Sequence, residues 1–313
     1  MALGRRSVIG YGARQHRVPL GSVARQNGDK PNCRNWASTS CDELATNYCL
    51  VVTRSRLHGD ASAVRSGLDK PMSYSEICPQ PVRRAIMKQG WYDLAYIHYR
   101  YSVEEVASIL PPGLEVDVCD GSAWVGLIPF SMRGIGVPGL PAVPYLGSFP
   151  EINVRTYVRR NGIPGVWFCS LDINRLLPVL VARTTYTLPY CFGKASNKRI
   201  GDELHTSVVR RWPRGSASTK IQLKILEPII EPSPLEIFLS ARWGLYTTTR
   251  SGNLRYAPIS HPKWNLQRAE IISLDDSLIQ AAGFAAPRAQ INGEPHVMFS
   301  SGVPVRVGLP KRV

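Results

Sequence analysis

A chain of 313 residues with 44% hydrophobic and 19% charged residues carries enough apolar material for a packed core in one large domain or two ordinary ones. No run approaches the ~18–20 apolar residues that span a bilayer as a helix, so no membrane partner is expected. The net charge of +15 invites nucleic acid, but its carriers are dispersed: residues 1–80 hold 11 Lys and Arg against 6 Asp and Glu, and residues 81–313 hold 27 against 17. The densest cluster, VVRRWPRGSASTK (208–220), reads as two strands and a turn. A basic solvated surface with no specific nucleic-acid partner is therefore the expectation.

Residues 1–77 lack the periodicity of a folded domain. The first 28 contain Arg5, Arg6, Arg14, Arg17 and Arg25 and no acidic residue, and no apolar segment of secretory type follows. An organellar transit peptide has this composition; a disordered tail or a start placed too far upstream explains it more simply. The seven cysteines, Cys33, Cys41, Cys49, Cys78, Cys119, Cys169 and Cys191, form no CxxC pair and no Cys/His cluster at zinc spacing, so no metal site is expected. Reduced thiols in a cytoplasmic protein fit the odd count.

From Pro79 onward the pattern sharpens. YSVEEVASILPPGLEVDV (101–118) opens with Ser102 as N-cap and Glu105 three residues later, a capping box, and predicts a helix that buries Val103, Val106, Ile109 and Leu110 and stops at Pro111-Pro112-Gly113. LEVDVCDGSAWVGLIPFSM (114–132) alternates on both sides of Asp120-Gly121, a hairpin signal, and a second hairpin turns at Asn161-Gly162. NRLLPVLVARTTY (174–186) reads as a helix with Pro178 in its first turn, capped by Asp172 or Asn174. Strands are predicted near 203–212 and 219–229, and SPLEIFLSARW (233–243) carries a full cap of Ser233, Pro234 and Glu236. Hairpins with interspersed short helices indicate an α+β protein with mainly antiparallel pairing, in one domain over residues 78–313.

GIGVPG (134–139) has the letters of a dinucleotide fingerprint, but Pro138 and the following LPAVP forbid the helix that would meet a pyrophosphate. With no Walker loop, HExxH or GxSxG motif either, no cofactor is expected. His98 lies among alternating aromatics in WYDLAYIHYRY, where a core or barrel-lining histidine is the simpler reading and a ligand-contacting one the sharper. In FPEINVRTYVRR (149–160), alternation sends Ile152, Val154, Thr156 and Val158 to one face and Glu151, Asn153, Arg155, Tyr157 and Arg159 to the other. The second face is either solvent-exposed or the lining of a polar cavity.

The ordered segments LPPGLEVDVCDGSAWVGLIPFSM, PEINVRTYV, GVWFCSLDINRLLPVLVARTTYTLPY, FLSARWGLY, APISHPKWNLQRAEI and SSGVPVRVG resemble the YqjF-like family, domain of unknown function 2071, which is grouped with the acetoacetate decarboxylase superfamily. The resemblance covers roughly residues 80–313 and implies a β-rich, cone-like barrel that encloses a pocket, with short peripheral helices. In the decarboxylases a lysine of depressed pKa forms a Schiff base with the keto acid, and a lysine pair follows an aromatic-containing helix end and a proline. In this chain the similar segment is ARTTYTLPYC, and Tyr190 and Cys191 follow Pro189. Lys194 and Lys198 are displaced from that position, so imine chemistry is not expected.

What the resemblance leaves is a pocket. Glu151 corresponds to the pocket carboxylate, a catalytic acid/base candidate, and Arg155, Arg183, Tyr186, Tyr190 and His98 are candidate contacts for a small organic acid or carbonyl ligand. The rival reading pairs Glu151 and Arg183 with the scaffold. Three functions are carried forward: a pocket enzyme without a lysine imine, a binding or structural protein on the same fold, and nucleic-acid association through surface charge. Whether the chain forms a homo-oligomer is left open.

Overall fold

The computed structural model describes residues 74–213 and 215–313. The expectations for the N-terminal segment and for Cys33, Cys41 and Cys49 lie outside the described residues. The four described cysteines, Cys78, Cys119, Cys169 and Cys191, are free. Tyr74–Ile77, N-terminal to the expected boundary, already belong to the fold: the Tyr74 hydroxyl donates to Asp117 at 2.7 Å, and Glu76 pairs with Lys263.

The strands are β1 (Ala85–Tyr101), β2 (Glu115–Val116), β3 (Ala123–Gly136), β4 (Phe149–Arg160), β5 (Ile163–Ile173), β6 (Tyr190–Ile200), β7 (Glu203–Trp212), β8 (Ser218–Pro228), β9 (Gly244–Thr248), β10 (Leu254–Ser260), β11 (Leu266–Asp276), β12 (His296–Gly308) and β13 (Lys311–Arg312). Among the described residues five short helices interrupt them: α1 (Val103–Ser108), α2 (Leu176–Thr185), α3 (Pro234–Ser240), α4 (Leu278–Ala281) and α5 (Ala289–Asn292).

The local chemistry mostly acts as expected. Asn161 and Gly162 take φ of 49° and 75°, the two positive values a tight hairpin turn requires, and β4 pairs with β5 across them. Ser233 and Glu236 close a reciprocal capping box on α3, with Pro234 in the first turn. At α1 only half of the box forms: Ser102 Oγ accepts from the Glu105 amide, while the Glu105 carboxylate accepts from the Ala285 amide instead. Asp120-Gly121 makes its turn (φ 52° and 70°), but only a single bridge, Cys119 to Ser122, follows the hairpin path. The preceding strand β2 instead joins the end of β4, Glu115 opposite Arg159.

The sheet runs β13-β10-β9-β5-β6-β7-β8-β11-β12-β1-β3-β4-β2 and closes on itself through the extra pairings β4–β5 and β10–β12. Two rings result. One passes through β5, β6, β7, β8, β11, β12, β1, β3 and β4; the other passes through β5, β9, β10, β12, β1, β3 and β4. They fork at two strands. Along one edge of β5, Leu171–Ile173 pair with β6 while Val166 and Trp167 pair with β9, and along one edge of β12, Met298–Ser300 pair with β11 while Arg306 and Val307 pair with β10. Only the two pairings of β5 across the fork are parallel, so the expected mainly antiparallel α+β barrel is the observed architecture.

The shared strands sort their side chains by period 2. Ile97 and Tyr99 of β1, Val125 and Leu127 of β3, and Ile152 and Val154 of β4 enter the larger ring, where they meet Leu204, Ile221 and Leu223. Leu94 and Tyr96, Trp124 and Ile128, and Phe149 and Tyr157 enter the smaller one, with Phe238 and Leu239 of α3 filling one end. A bulge in β5 opposite Val154 and Arg155 leaves Phe168 and Leu171, three residues apart, both facing the smaller ring.

Asp172 and Asn174 do not cap α2. The N-cap position is Arg175, without a side-chain cap bond, and Asn174 Nδ2 donates to the Ala195 carbonyl. Asp172 is the last-but-one residue of β5 and fully buried, with Arg210 of β7 as a bidentate partner through Nε and Nη2, both at 2.7 Å. Removing only the carboxylate strands a guanidinium in the barrel wall. Asp172→Ala should lower unfolding free energy by about 3–5 kcal/mol in urea titration, and replacing both partners with Leu and Met should recover most of that loss.

Candidate functional site

β4 brings Glu151, Asn153 and Arg155 to the same face, as period 2 requires, and that face looks into the smaller ring. All three are buried: Glu151 is 2%, Asn153 3% and Arg155 9% exposed, so the choice between a solvent-facing strand and a cavity lining falls to the cavity. It holds about 350 Å³ at the end opposite α3. Its walls come from the first half of β1, the second half of β3, the start of β4, Phe168 and Leu171 of β5, and α2, which contributes Leu177, Pro178, Val181 and Ala182.

Glu151 sits in this apolar setting with two neutral donors. The Tyr190 hydroxyl donates to Oε2 at 3.0 Å and the Asn153 amide to Oε1 at 3.4 Å. Burial pushes the Glu151 carboxyl up to about 7, the two hydrogen bonds hold it down in part, and the charge of Asp172 adds a further upward push. Tyr190 is raised well above its ordinary range, first by burial and then by Glu151 itself, so it remains a donor. Asn153 Oδ1 has no partner among the described residues, and a turned-over amide would let it accept a hydrogen bond from a neutral Glu151.

Arg155 is held without a carboxylate. Nε and Nη2 donate to Tyr157 Oη at 3.3 and 3.2 Å, Nη2 also reaches the Leu239 carbonyl at 3.4 Å, and the guanidinium lies 5.6 Å from the Tyr96 and Tyr157 ring centres. Among the described residues its Nη1 has no protein partner and no acid pairs with it, whereas the other two buried arginines are matched, Arg210 by Asp172 and Arg242 by Asp117.

Behind Arg155, Tyr157 donates its one proton to the Leu239 carbonyl at 2.7 Å, so His98 Nε2, 2.6 Å from the same oxygen, is the donor and Nδ1 is left unpartnered. Burial, then the charge of Arg155, holds the His98 imidazole well below its usual range and therefore neutral. The sheet makes room for it with a glycine: Gly126 pairs with His98 on one side and Arg155 on the other, and a Cβ there would stand 2.7 Å from His98 Nε2.

The expected residues thus divide. Glu151, Arg155, Tyr186 and Tyr190 line the cavity together. His98 faces the same interior but does not line the cavity; it bonds Tyr157, the residue that supports Arg155. Arg183 is outside: its Nη1 donates to the Tyr190 carbonyl at 2.8 Å and its guanidinium lies over Trp212, so it braces the segment that carries Tyr190. Lys194 and Lys198 are exposed on β6, and neither lines the cavity. Thr247 and the aromatic wall of Trp91 and Phe130 were not singled out from sequence. The stretches WYDLAY, GLIPFSM and GLYTT contain them, but period 2 does not tell which of two interiors a residue enters.

Among the described residues, no group of three His, Cys, Asp or Glu side chains is placed to hold a metal, and no helix is long and apolar enough to cross a membrane. The DUF2071 family model, described as an uncharacterized conserved protein, matches residues 88–304. The protein YqjF of Bacillus subtilis (strain 168) is 34% identical over 205 residues, covering 65% of this chain and 84% of that one. Among solved structures, the enduracididine biosynthesis enzyme MppR complexed with pyruvate is similar with a TM-score of 0.51 at 12% identity, over 74% of this chain and 91% of that one. Acetoacetate decarboxylase from Legionella pneumophila gives 0.48 at 16% identity, over 77% and 93%. At 12% identity the likeness to MppR is one of fold.

A carboxyl raised in the folded state binds its proton there at pH values where the unfolded chain has lost it. Its stabilising contribution is complete below about pH 4.5 and is lost as pH rises through about 7, a change of about 3 kcal/mol. Glu151→Gln should remove this fall from the stability–pH curve and leave the variant the more stable of the two at pH 8. Gly126→Ala should cost about 1–3 kcal/mol in chemical denaturation, because fully buried His98 has nowhere to retreat.

Proposed function

We propose that this chain, which belongs to the DUF2071 family and has the acetoacetate decarboxylase-like fold, binds a small organic acid or carbonyl compound in the β4-lined cavity and moves a proton through Glu151 without forming a lysine imine. The observation that carries this reading is the pair of opposite functional groups on one strand face. Among the described residues Arg155 is a buried guanidinium with no acid of its own, and four residues away Glu151 is a carboxyl that burial pushes up to about 7. A guanidinium in an apolar cavity favours an anion, and a planar carboxylate matches its donor geometry. A carboxyl near pH 7 gives and takes a proton with little bias, which suits general acid–base work, and Tyr190 is within hydrogen-bonding reach to steady either form.

Imine formation requires an amine at the reacting carbon. Among the described residues no lysine lines the cavity, and no cysteine, serine or histidine does either. The same observation supports a second reading, a binding protein that holds the acid without turnover. The two share the ligand and differ in the fate of Glu151's proton.

Pyruvate and acetoacetate, one 2-oxo and one 3-oxo acid, are suitable probes. Either should raise the melting temperature of the wild-type protein, and Arg155→Met should abolish the shift. Because ionised Glu151 repels an anion, affinity should fall as pH passes upward through about 7 in the wild type and stay flat in Glu151→Gln. Borohydride treatment in the presence of the acids should leave the intact mass unchanged. A reduced adduct on any lysine would sink the imine-free reading, and stabilisation that survives Arg155→Met would sink the assignment of the anion site. Solvent-proton exchange into the bound acid, followed by NMR and lost in Glu151→Gln, separates the enzyme from the binding protein.

A further inference from the structure

We propose that the natural ligand of this cavity is an amphiphilic monocarboxylic acid with an apolar chain or ring of about eight to ten carbons, its carboxylate at Arg155 and its tail running outward under α2. This rests on the reading of the cavity as an acid site and specifies which acids it takes.

The strand register orders the cavity from its inner end outward. On β4 and β3, Arg155 lies level with Gly126, Asn153 with Ile128, Glu151 with Phe130, and Phe149 with Met132. At about 3.4 Å per residue, Arg155 to Phe149 spans about 20 Å, several times the length of a three-carbon acid. The charged anchor is innermost, beside the α3 carbonyl of Leu239. Beyond Glu151 the lining is mainly apolar: Trp91, Phe130, Met132, Leu146, Leu177 and Val181 surround the outer part, with Gln89 at its outer end. A short oxo acid bound at Arg155 would leave this surface facing water.

Volume leads to the same ligand class. At about 30 Å³ per non-hydrogen atom, 350 Å³ holds about 12 such atoms, the number in a ten-carbon monocarboxylate. Apart from the β4 groups and Tyr190, the described lining carries polar groups at Gln89, Tyr186, Thr247 and the unpartnered Trp91 Nε1, and the rest is apolar, so a ligand polar at both ends, such as a dicarboxylate or a sugar acid, would set its second polar end against a mainly apolar wall.

The test is a titration of the full chain at pH 6 with the straight-chain acids from butanoate to dodecanoate, each below its critical micelle concentration, alongside pyruvate, acetoacetate and decanol. Affinity should climb about fourfold per methylene to about ten carbons and then level or fall as the cavity fills. Decanol and the Arg155→Met variant should each bind at least tenfold more weakly than the matched wild-type acid complex. Ala182→Phe, which narrows the outer part of the cavity, should weaken decanoate at least tenfold and leave butanoate unchanged; the wild-type series decides the point even if that variant folds poorly. Equal affinity along the series, with pyruvate or acetoacetate binding as well as decanoate, would overturn the amphiphilic class while leaving the small-acid reading intact. Decanol binding as tightly as decanoate would overturn the head-group assignment, and failure of every acid to bind would remove both readings.

Discussion

Along their central stretches β1, β3 and β4 are buried on both faces, so each side chain there must enter one interior or the other. An ordinary two-faced sheet separates a core from solvent. Here the same alternation separates two interiors of different chemistry, one filled with aliphatic side chains and the other lined by aromatics and holding a cavity. The forks at β5 and β12 create that arrangement, because each lends one stretch of an edge to one ring and another stretch to the second. The site follows from the wall: residues two apart on β4 converge on one space, and those between them seal the other.

The smaller interior also treats charge differently. Asp172 with Arg210, and Asp117 with Arg242, are buried ions balanced within the fold. Glu151 and Arg155 share a space and are not paired in this way. Arg155 is surrounded by neutral oxygens and ring faces, and Glu151 meets its burial by holding a proton. A guanidinium and a carboxyl that are left unpaired in one cavity keep their capacity to interact with something that enters it. Arg183 and His98 lie outside that cavity and stabilise the elements that shape it, Arg183 by holding the Tyr190 backbone and His98 by holding the Tyr157 hydroxyl on which Arg155 rests.

Much of this was legible in the residues. The division of β4 into two faces, the Asn161-Gly162 hairpin, the full cap of α3 and the absence of an amine after Pro189 all depend on neighbours in sequence, where periodicity and turn chemistry act. What was not legible depends on distant partners. The Asp120-Gly121 turn formed, but β2 found the end of β4 instead of β3. Asp172 resembled a cap because a helix follows it, and it serves instead in an ion pair with a strand 38 residues away. His98 could be placed in a strand, but nothing local shows that a glycine on the neighbouring strand would make room for it beside Tyr157. A family resemblance named the barrel that alternation alone left as α+β.

The double burial of β4 also constrains how such a chain can diverge. Deleting or inserting one residue at its centre would turn Glu151 and Arg155 into the aliphatic interior and push Ile152 and Val154 into the cavity, so that both spaces fail together. Length change within the wall is therefore closed as a route of variation, and insertions are confined to stretches such as residues 137–148, outside the paired strands. Replacement of one lining side chain by another remains open at every cavity position, with the strand acting as a fixed ruler. A scaffold of this kind exchanges one bound compound for another in small steps while its outline stays the same.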